Sequence, residues 1–355
     1  MKTIFMSDIH IGTNYATNLY QQQNNQANLK KILSYIQSNG NQIKDVVILG
    51  DWIDLWMYPS SVVPPTAQQI FAANPAVFTV QPDGDFISVM DSIQGDLVYV
   101  NGNHDINVTE QDVNGWFAPL SQKGKKVQCI NNSKGLSCYT CDHVLGEHGH
   151  MYSMVCRPYA GETLPLGYYL TRAGMQNIIV SQKDLPPMNV LAIQELISYN
   201  KLTFAQAILT FQANQIGFTK IEDLVFTMPD GSTISADAVA AKFPDLCINN
   251  MFPDLCINNM DFLRVDVGGS LNVSAAATLK NNRYKILVMG HTHIKELYSH
   301  HDKIYANSGF LCAGIPDQNG VAVSTFVEVE DGKRVSMMKI DYSTGDIIVD
   351  KTLVC

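Results

Sequence analysis

The chain has 355 residues, 46% hydrophobic and 16% charged, enough for a sizeable core in one large or two small domains. A formal charge of −9 gives no global basic footprint for nucleic acid. No stretch reads as a membrane span and the opening "MKTIFMSDIH" lacks the apolar core of a signal peptide, so a cytoplasmic protein is expected.

In chain order, the first predicted strand, in "TIFM", is followed at once by Asp8 and His10 of "SDIHIG". The second apolar run, Val46 to Leu49, leads into "GDWIDLW" with Asp51 and Asp54. The third, Leu97 to Val100, stops in the turn residues Asn101 and Gly102 and then presents Asn103, His104 and Asp105. "DHVLGEHGHMY" sets His148 and His150 behind a shorter run. Just before it, Cys138 and Cys141 lie on a strand, where a spacing of three points them to opposite faces, so they read as small apolar residues.

Residues 157 to 280 form a long interval with helical periodicity in "NVLAIQELISYNKL" and "TFAQAILTFQANQI". "MPDGSTISADAVAAKF" holds a turn, then a helix cap at Ser235. Arg157, Tyr168 and Arg172 could contact a phosphate or a base, or simply face solvent. "FPDLCINNM" occurs twice in tandem, at 243–251 and 252–260, a duplication expected in a surface loop or an extended helix end. A fifth run, Ile286 to Met289, then precedes His291 and His293 of "GHTH". The remainder alternates in strand fashion, with turns at Asp331–Gly332 and Thr344–Gly345.

Five apolar runs each end in metal-capable side chains, and that repetition carries the signal, because any one block alone is an ordinary turn. Near-continuous apolar strands suit a sheet covered on both faces, and sites form where such strand ends converge. In an extended segment residues i and i+2 face the same way, which would aim Asp8 with His10, and His291 with His293, at one point. The donors are nitrogen and oxygen without thiolate. They suit manganese, iron, zinc or cobalt, and are numerous enough for two ions.

In this order the blocks "SDIHIG", "GDWID", "GNHD", "HGH" and "GHTH" resemble those of the calcineurin-like metallophosphoesterase superfamily, from residue 7 to 293 without the long interval. The resemblance implies a four-layer α/β/β/α sandwich of two mixed sheets, formed by residues 1–156 and 281–355; the interval 157–280, which it leaves out, reads from its length and periodicity as an inserted, mostly helical cap over the site, or else as a packing appendage or dimer surface. It implies two divalent ions, and with this donor set manganese is expected first, with iron, zinc, cobalt or nickel as alternatives. Asp8, His10, Asp51 and His293 would hold one ion. Asp51, Asn103, His148 and His291 would hold the other, with Asp51 bridging. His104 would face the substrate, and Asp105 would orient its imidazole and fix its tautomer. The implied activity is hydrolysis of a phosphodiester, phosphomonoester or diphosphate bond by a hydroxide that the two ions activate.

Departures narrow the resemblance. The phosphoprotein-phosphatase branch carries Asp-Arg-Gly in its second block and Glu after its Asn-His, whereas this chain has "GDWIDLW" and "GNHD". Purple acid phosphatases place a tyrosine ligand where Asp54 stands. The blocks are closest to bacterial enzymes similar to UDP-2,3-diacylglucosamine hydrolases, whose fourth block often reads His-Gly-Asp. His150 holds that last position and is read as either supporting the ligands or merely packed. The expected partner is a small phosphorylated substrate, nucleotide- or lipid-linked. A nuclease or cyclic-nucleotide phosphodiesterase is the alternative, and a non-catalytic scaffold of the same fold a remote one. The sequence does not give the oligomeric state.

Overall fold

The computed structural model describes residues 1–78, 86–130, 137–159, 161–182, 190–244, 246, 283–311 and 324–355. The first half contributes β1 (Lys2–Met6), α1 (Gln22–Ser38), β2 (Ile43–Leu49), α2 (Ala67–Ala73), α3 (Pro75–Phe78), α4 (Phe86–Ser92), β3 (Leu97–Val100), α5 (Glu110–Trp116), α6 (Ala118–Gln122), β4 (Val127–Ile130), β5 (Cys138–Cys141) and β6 (Val144–Glu147). There follow α7 (Leu166–Ser181), α8 (Val190–Asn200), α9 (Phe204–Ile216), β7 (Val225–Thr227), β8 (Thr233–Ser235) and α10 (Ala236–Ala241). The chain closes with β9 (Ile286–Met289), β10 (Lys295–His300), β11 (Lys303–Ser308), β12 (Thr325–Glu330), β13 (Arg334–Ile340) and β14 (Ile347–Val354).

These strands make two large mixed sheets. A seven-stranded sheet runs β14-β13-β12-β1-β2-β3-β4, with β1 to β4 parallel, and a five-stranded sheet runs β10-β11-β9-β6-β5. The apolar runs divide by period two between two cores. Ile4, Met6, Val46, Ile48, Leu97 and Tyr99 pack against helix residues such as Leu29, Ile32 and Met90. The alternate residues Phe5, Val47, Leu49, Val98 and Val100 meet Val144, Ile286, Val288 and Ala306 of the second sheet. Burial on both faces is why these strands read as continuous rather than alternating. Among the described residues no helix is long and apolar enough to cross a membrane.

Helices α7, α9 and α10 build a third apolar cluster, with Leu166, Ala173, Ile208, Leu209, Phe226 and Val239 inside it. Thr203 and Gln206 form the capping box that starts α9, and Gly217, at φ 97°, ends it. Trp56 belongs to this cluster although it follows β2, so the helical region is packed onto the strand-end loops through it.

Two local expectations are corrected. Ser235 stands at the N-cap of α10, but its side chain makes no capping hydrogen bond, because the same residue closes the β7–β8 hairpin. Arg172 contacts no ligand site: it is fully buried and donates to the carbonyls of Tyr58, Pro59, Ser60, Val62 and Thr227 and to the Tyr168 hydroxyl. Cys138 and Cys141 lie on β5 as read, and neither forms a disulfide. The "FPDLCINNM" repeat falls almost wholly outside the described residues, as does its expected placement in a loop or helix end.

Candidate metal centre

The predicted ligands stand at the C-terminal ends of β1, β2, β3, β6 and β9, where the two sheets meet. The extended geometry expected for the i, i+2 pairs is not what brings them together. Asp8, His10, Asp51, His291 and His293 all have left-handed backbones, with φ between 52° and 72°. Such a conformation is costly for a residue with a Cβ and persists where the surroundings impose it, most often at functional sites. These three blocks curl at the ligand residues themselves, whereas Asn103 and His148 take no such conformation. The glycines permit the approach: a Cβ on Gly102 would fall onto Asp51 Oδ1, and one on Gly290 onto Ser7 Oγ.

One group comprises Asp8, His10 and His293. His293 Nε2 is 3.3 Å from Asp8 Oδ1 and 3.0 Å from His10 Nε2. A second comprises Asp8, Asp51 and His148, in which His148 Nε2 lies 3.2 Å from Asp51 Oδ2 and 3.1 Å from Asn103 Oδ1. The same Oδ2 is 3.6 Å from His10 Nε2, so Asp51 stands between the groups by one oxygen. Its other oxygen accepts the His104 backbone N–H at 2.8 Å. His291 joins through its backbone N–H, which donates to the Asp8 carboxylate at 3.0 Å, and its ring lies beside His148 with centroids 5.2 Å apart.

The tautomers follow from the neighbours. His148 Nδ1 is 2.6 Å from the Leu49 carbonyl, which can only accept, so Nδ1 carries the proton and Nε2 turns a lone pair inward. His10 Nδ1 is 3.0 Å from Asp54 Oδ2 and is fixed in the same way. Carbonyl- or carboxylate-anchored imidazoles with the far nitrogen free are the usual arrangement of metal-binding histidines. His291 Nε2 is buried with no hydrogen-bond partner among the described residues. An orphaned nitrogen, inward lone pairs and two carboxylates without a thiolate fit a divalent cation.

The charges are strongly coupled. Burial pushes the Asp51 carboxyl up, but His148, His104 and His10 outweigh it and hold Asp51 well below the usual carboxylate range. Burial likewise disfavours charge on His148, yet Asp51 and Asp8 raise it to about 9, so a cation taking the Nε2 lone pair would displace a proton held toward Asp51. His291 is pushed down to about 3 by burial and by His148.

His104 differs from the expectation in its partner. Its Nδ1 is 2.9 Å from Asp54 Oδ1, and Trp56 stacks on the ring at 4.6 Å. Asp105 instead accepts from the Gly102 N–H at 2.6 Å, the Tyr99 hydroxyl at 2.6 Å and the Trp52 N–H at 3.0 Å. It shapes the turn, and burial and the Asp51 charge raise it to about 6. Asp54 therefore orients both His10 and His104, one with each oxygen. Sequence reasoning named Asp54 but gave it no role, although its place three residues after Asp51 in the same block was the available signal. Phe310, stacked on His293 at 4.6 Å, was missed without any local motif to show it. A ring nitrogen of His104 also lies within ligand-group reach of His10 and Asp51. His150 is buried with its ring centroid 5.3 Å from His148 and 6.5 Å from His291.

A family model for calcineurin-like phosphoesterases matches residues 1–208. The chain belongs to that family. The match carries four of the five blocks, and the fifth, at His291 and His293, is joined to them by the fold. The calcineurin-like chain is similar to a zinc-complexed Vps29 from Entamoeba histolytica, at 9% identity and TM-score 0.38 over 100% of this chain and 99% of that one. It is similar to an archaeal phosphodiesterase at 10% and 0.35 over 100% of each, and to a dimetal phosphatase from Danio rerio at 13% and 0.36 over 98% of each. No curated protein matches the sequence.

Proposed function

We propose that this calcineurin-like phosphoesterase hydrolyses a phosphoester or diphosphate bond of a small nucleotide- or lipid-linked substrate. Asp8, His10, Asp51 and His293 would hold one divalent ion, and Asp51, Asn103, His148 and His291 a second, with manganese the first choice. Ions there would supply Lewis acidity toward a phosphoryl oxygen and lower the pKa of an attacking water. The observation that carries the reading is the pair His10 and His148, each locked at Nδ1 and each turning Nε2 toward Asp51.

The chain's own share lies with His104 and Asp54. Burial opposes a proton on His104, but the Asp54 and Asp51 charges prevail and raise its pKa. Its Nδ1–H is donated to Asp54, which leaves Nε2–H to donate to the leaving oxygen as the phosphorus–oxygen bond breaks. Residues 157–280 act as a cap, a reading supported by the apolar cluster of their described part and its attachment through Trp56.

The test is hydrolysis of bis-p-nitrophenyl phosphate beside p-nitrophenyl phosphate with added Mn²⁺, in wild type, Asp51→Ala and His104→Ala. Diester cleavage lost in both variants supports the reading. Wild type inert with every divalent metal would turn it toward a non-catalytic role of the fold.

A further inference from the structure

A cavity of about 250 Å³ opens beside His104, between the loops after β2 and β3 and the start of the helical region. Trp56, Ile106, Val108, Trp116, Leu164 and Tyr168 are among the apolar and aromatic residues of its wall. Its polar lining is occupied by local structure. Thr66 Oγ1 accepts the Gln69 N–H that starts α2, and Asp112 accepts the Thr109 N–H and hydroxyl that start α5. Asn107 is exposed. Among the described residues neither lysine nor arginine lines the cavity.

Those features select by charge and by size. A second phosphate placed against the wall away from His104 would meet the Asp112 carboxylate and, among the described residues, no lysine or arginine, at a desolvation cost without compensation. An apolar cavity of about 150 Å³ already accommodates benzene, so this one has room for a substituted ring or a short alkyl chain. His104 lines it with Trp56 stacked on its ring, so a group in the cavity lies within reach of the His104 imidazole. Resting on the phosphoesterase reading, we infer that the cavity takes the uncharged, apolar alcohol of a phosphate ester, aryl or short alkyl, as the leaving group. Nucleoside polyphosphates are disfavoured, and specificity resides in the contact between the helical region and the two loops.

The test uses non-hydrolysable probes and a binding readout. Methylphosphonate, hexylphosphonate and phenylphosphonate are titrated calorimetrically into the full-length protein with Mn²⁺, beside turnover of bis-p-nitrophenyl phosphate. Each buried methylene is worth roughly fourfold in affinity, so phenyl and hexyl should exceed methyl by about tenfold or more. Ala67→Trp, which fills the cavity, and Ile106→Asp, which charges it, should each reduce that ratio to about twofold or less. Either variant suffices if the other fails to fold. Equal binding of all three probes by a wild type that cleaves the diester overturns the cavity inference and leaves the phosphoesterase reading standing. Absence of both binding and cleavage overturns both.

Discussion

Arg172 and the strand-end ligands are both buried polar groups, yet their surroundings are opposite in kind. Arg172 sits on α7 with its donors spent: the Pro59 carbonyl is 2.9 Å away, the Thr227 carbonyl 2.6 Å and the Tyr168 hydroxyl 2.9 Å. Carbonyl dipoles replace the water it lost, so the cluster is complete without anything further. At the strand ends His291 Nε2 has no partner among the described residues, while His10 and His293 point nitrogens at one another 3.0 Å apart. A complete buried cluster holds the fold together. An incomplete one, maintained at the expense of five left-handed backbones, fits a ligand that the chain itself does not contain.

The comparison breaks most visibly at Asp51. Asp51→Asn keeps an acceptor for the His104 N–H and removes the charge between the two ligand groups. Diester turnover should fall about a thousandfold or more, while the melting temperature holds or rises, as is usual when a functional site is relieved of its charge. A large drop in melting temperature with turnover intact would invert the assignment. Arg172→Met should do the reverse. Five carbonyls each lose the guanidinium, although the Val62 N–H still serves Pro59 and the Thr227 N–H still serves Ser60, at a cost of about 3 kcal/mol in urea denaturation. The divalent metal retained by the folded fraction after loading, measured by elemental analysis, should match wild type.

Asp54 sharpens the contrast within the site. It is as buried as Arg172 and as fully bonded, accepting from the Trp56 N–H at 2.8 Å and the Met57 N–H at 2.9 Å, yet its remaining bonds orient His10 and His104. Asp54→Asn should lower kcat about a hundredfold with little change in KM. Asp105→Asn should leave kcat within about threefold of wild type, because that carboxylate serves the turn. Equal losses in the two variants would restore Asp105 as the orienting group.

The sequence exposed the sheets and the blocks that gather at their strand ends because both rest on local rules. Continuous apolar runs such as Val46 to Leu49 signal strands covered on both faces, and each ligand block follows its strand directly. Partnership across the chain was not legible. Asp105 is adjacent to His104 and so looks like its partner, whereas Asp54, fifty residues earlier, holds the ring. Adjacency misled because a tight turn points neighbouring side chains apart. The stacking of Phe310 on His293 and the spent donors of Arg172 likewise depend on packing between distant segments, which no spacing rule encodes.

Asp350 supplies the smallest effect and the control for burial. It joins Lys295 at 2.9 Å and Lys339 at 2.6 Å near the sheet edge, a complete cluster like that of Arg172 but partly open to water. Partial burial works against its charge, yet the hydrogen bonds from Lys339 and Lys295 prevail and lower its pKa. A carboxyl depressed in the folded state contributes stability above its unfolded value of about 3.9, and that contribution is lost as pH falls through the folded value. Asp350→Asn should therefore cost about 0.5 kcal/mol at pH 7 in low salt, less in high salt, and nothing near pH 2. A loss comparable to that of Arg172→Met would mean that completeness alone sets the contribution. A small, salt-sensitive loss would show that completeness stabilises strongly only where water is excluded, which is also the condition under which an incomplete cluster holds a cation firmly.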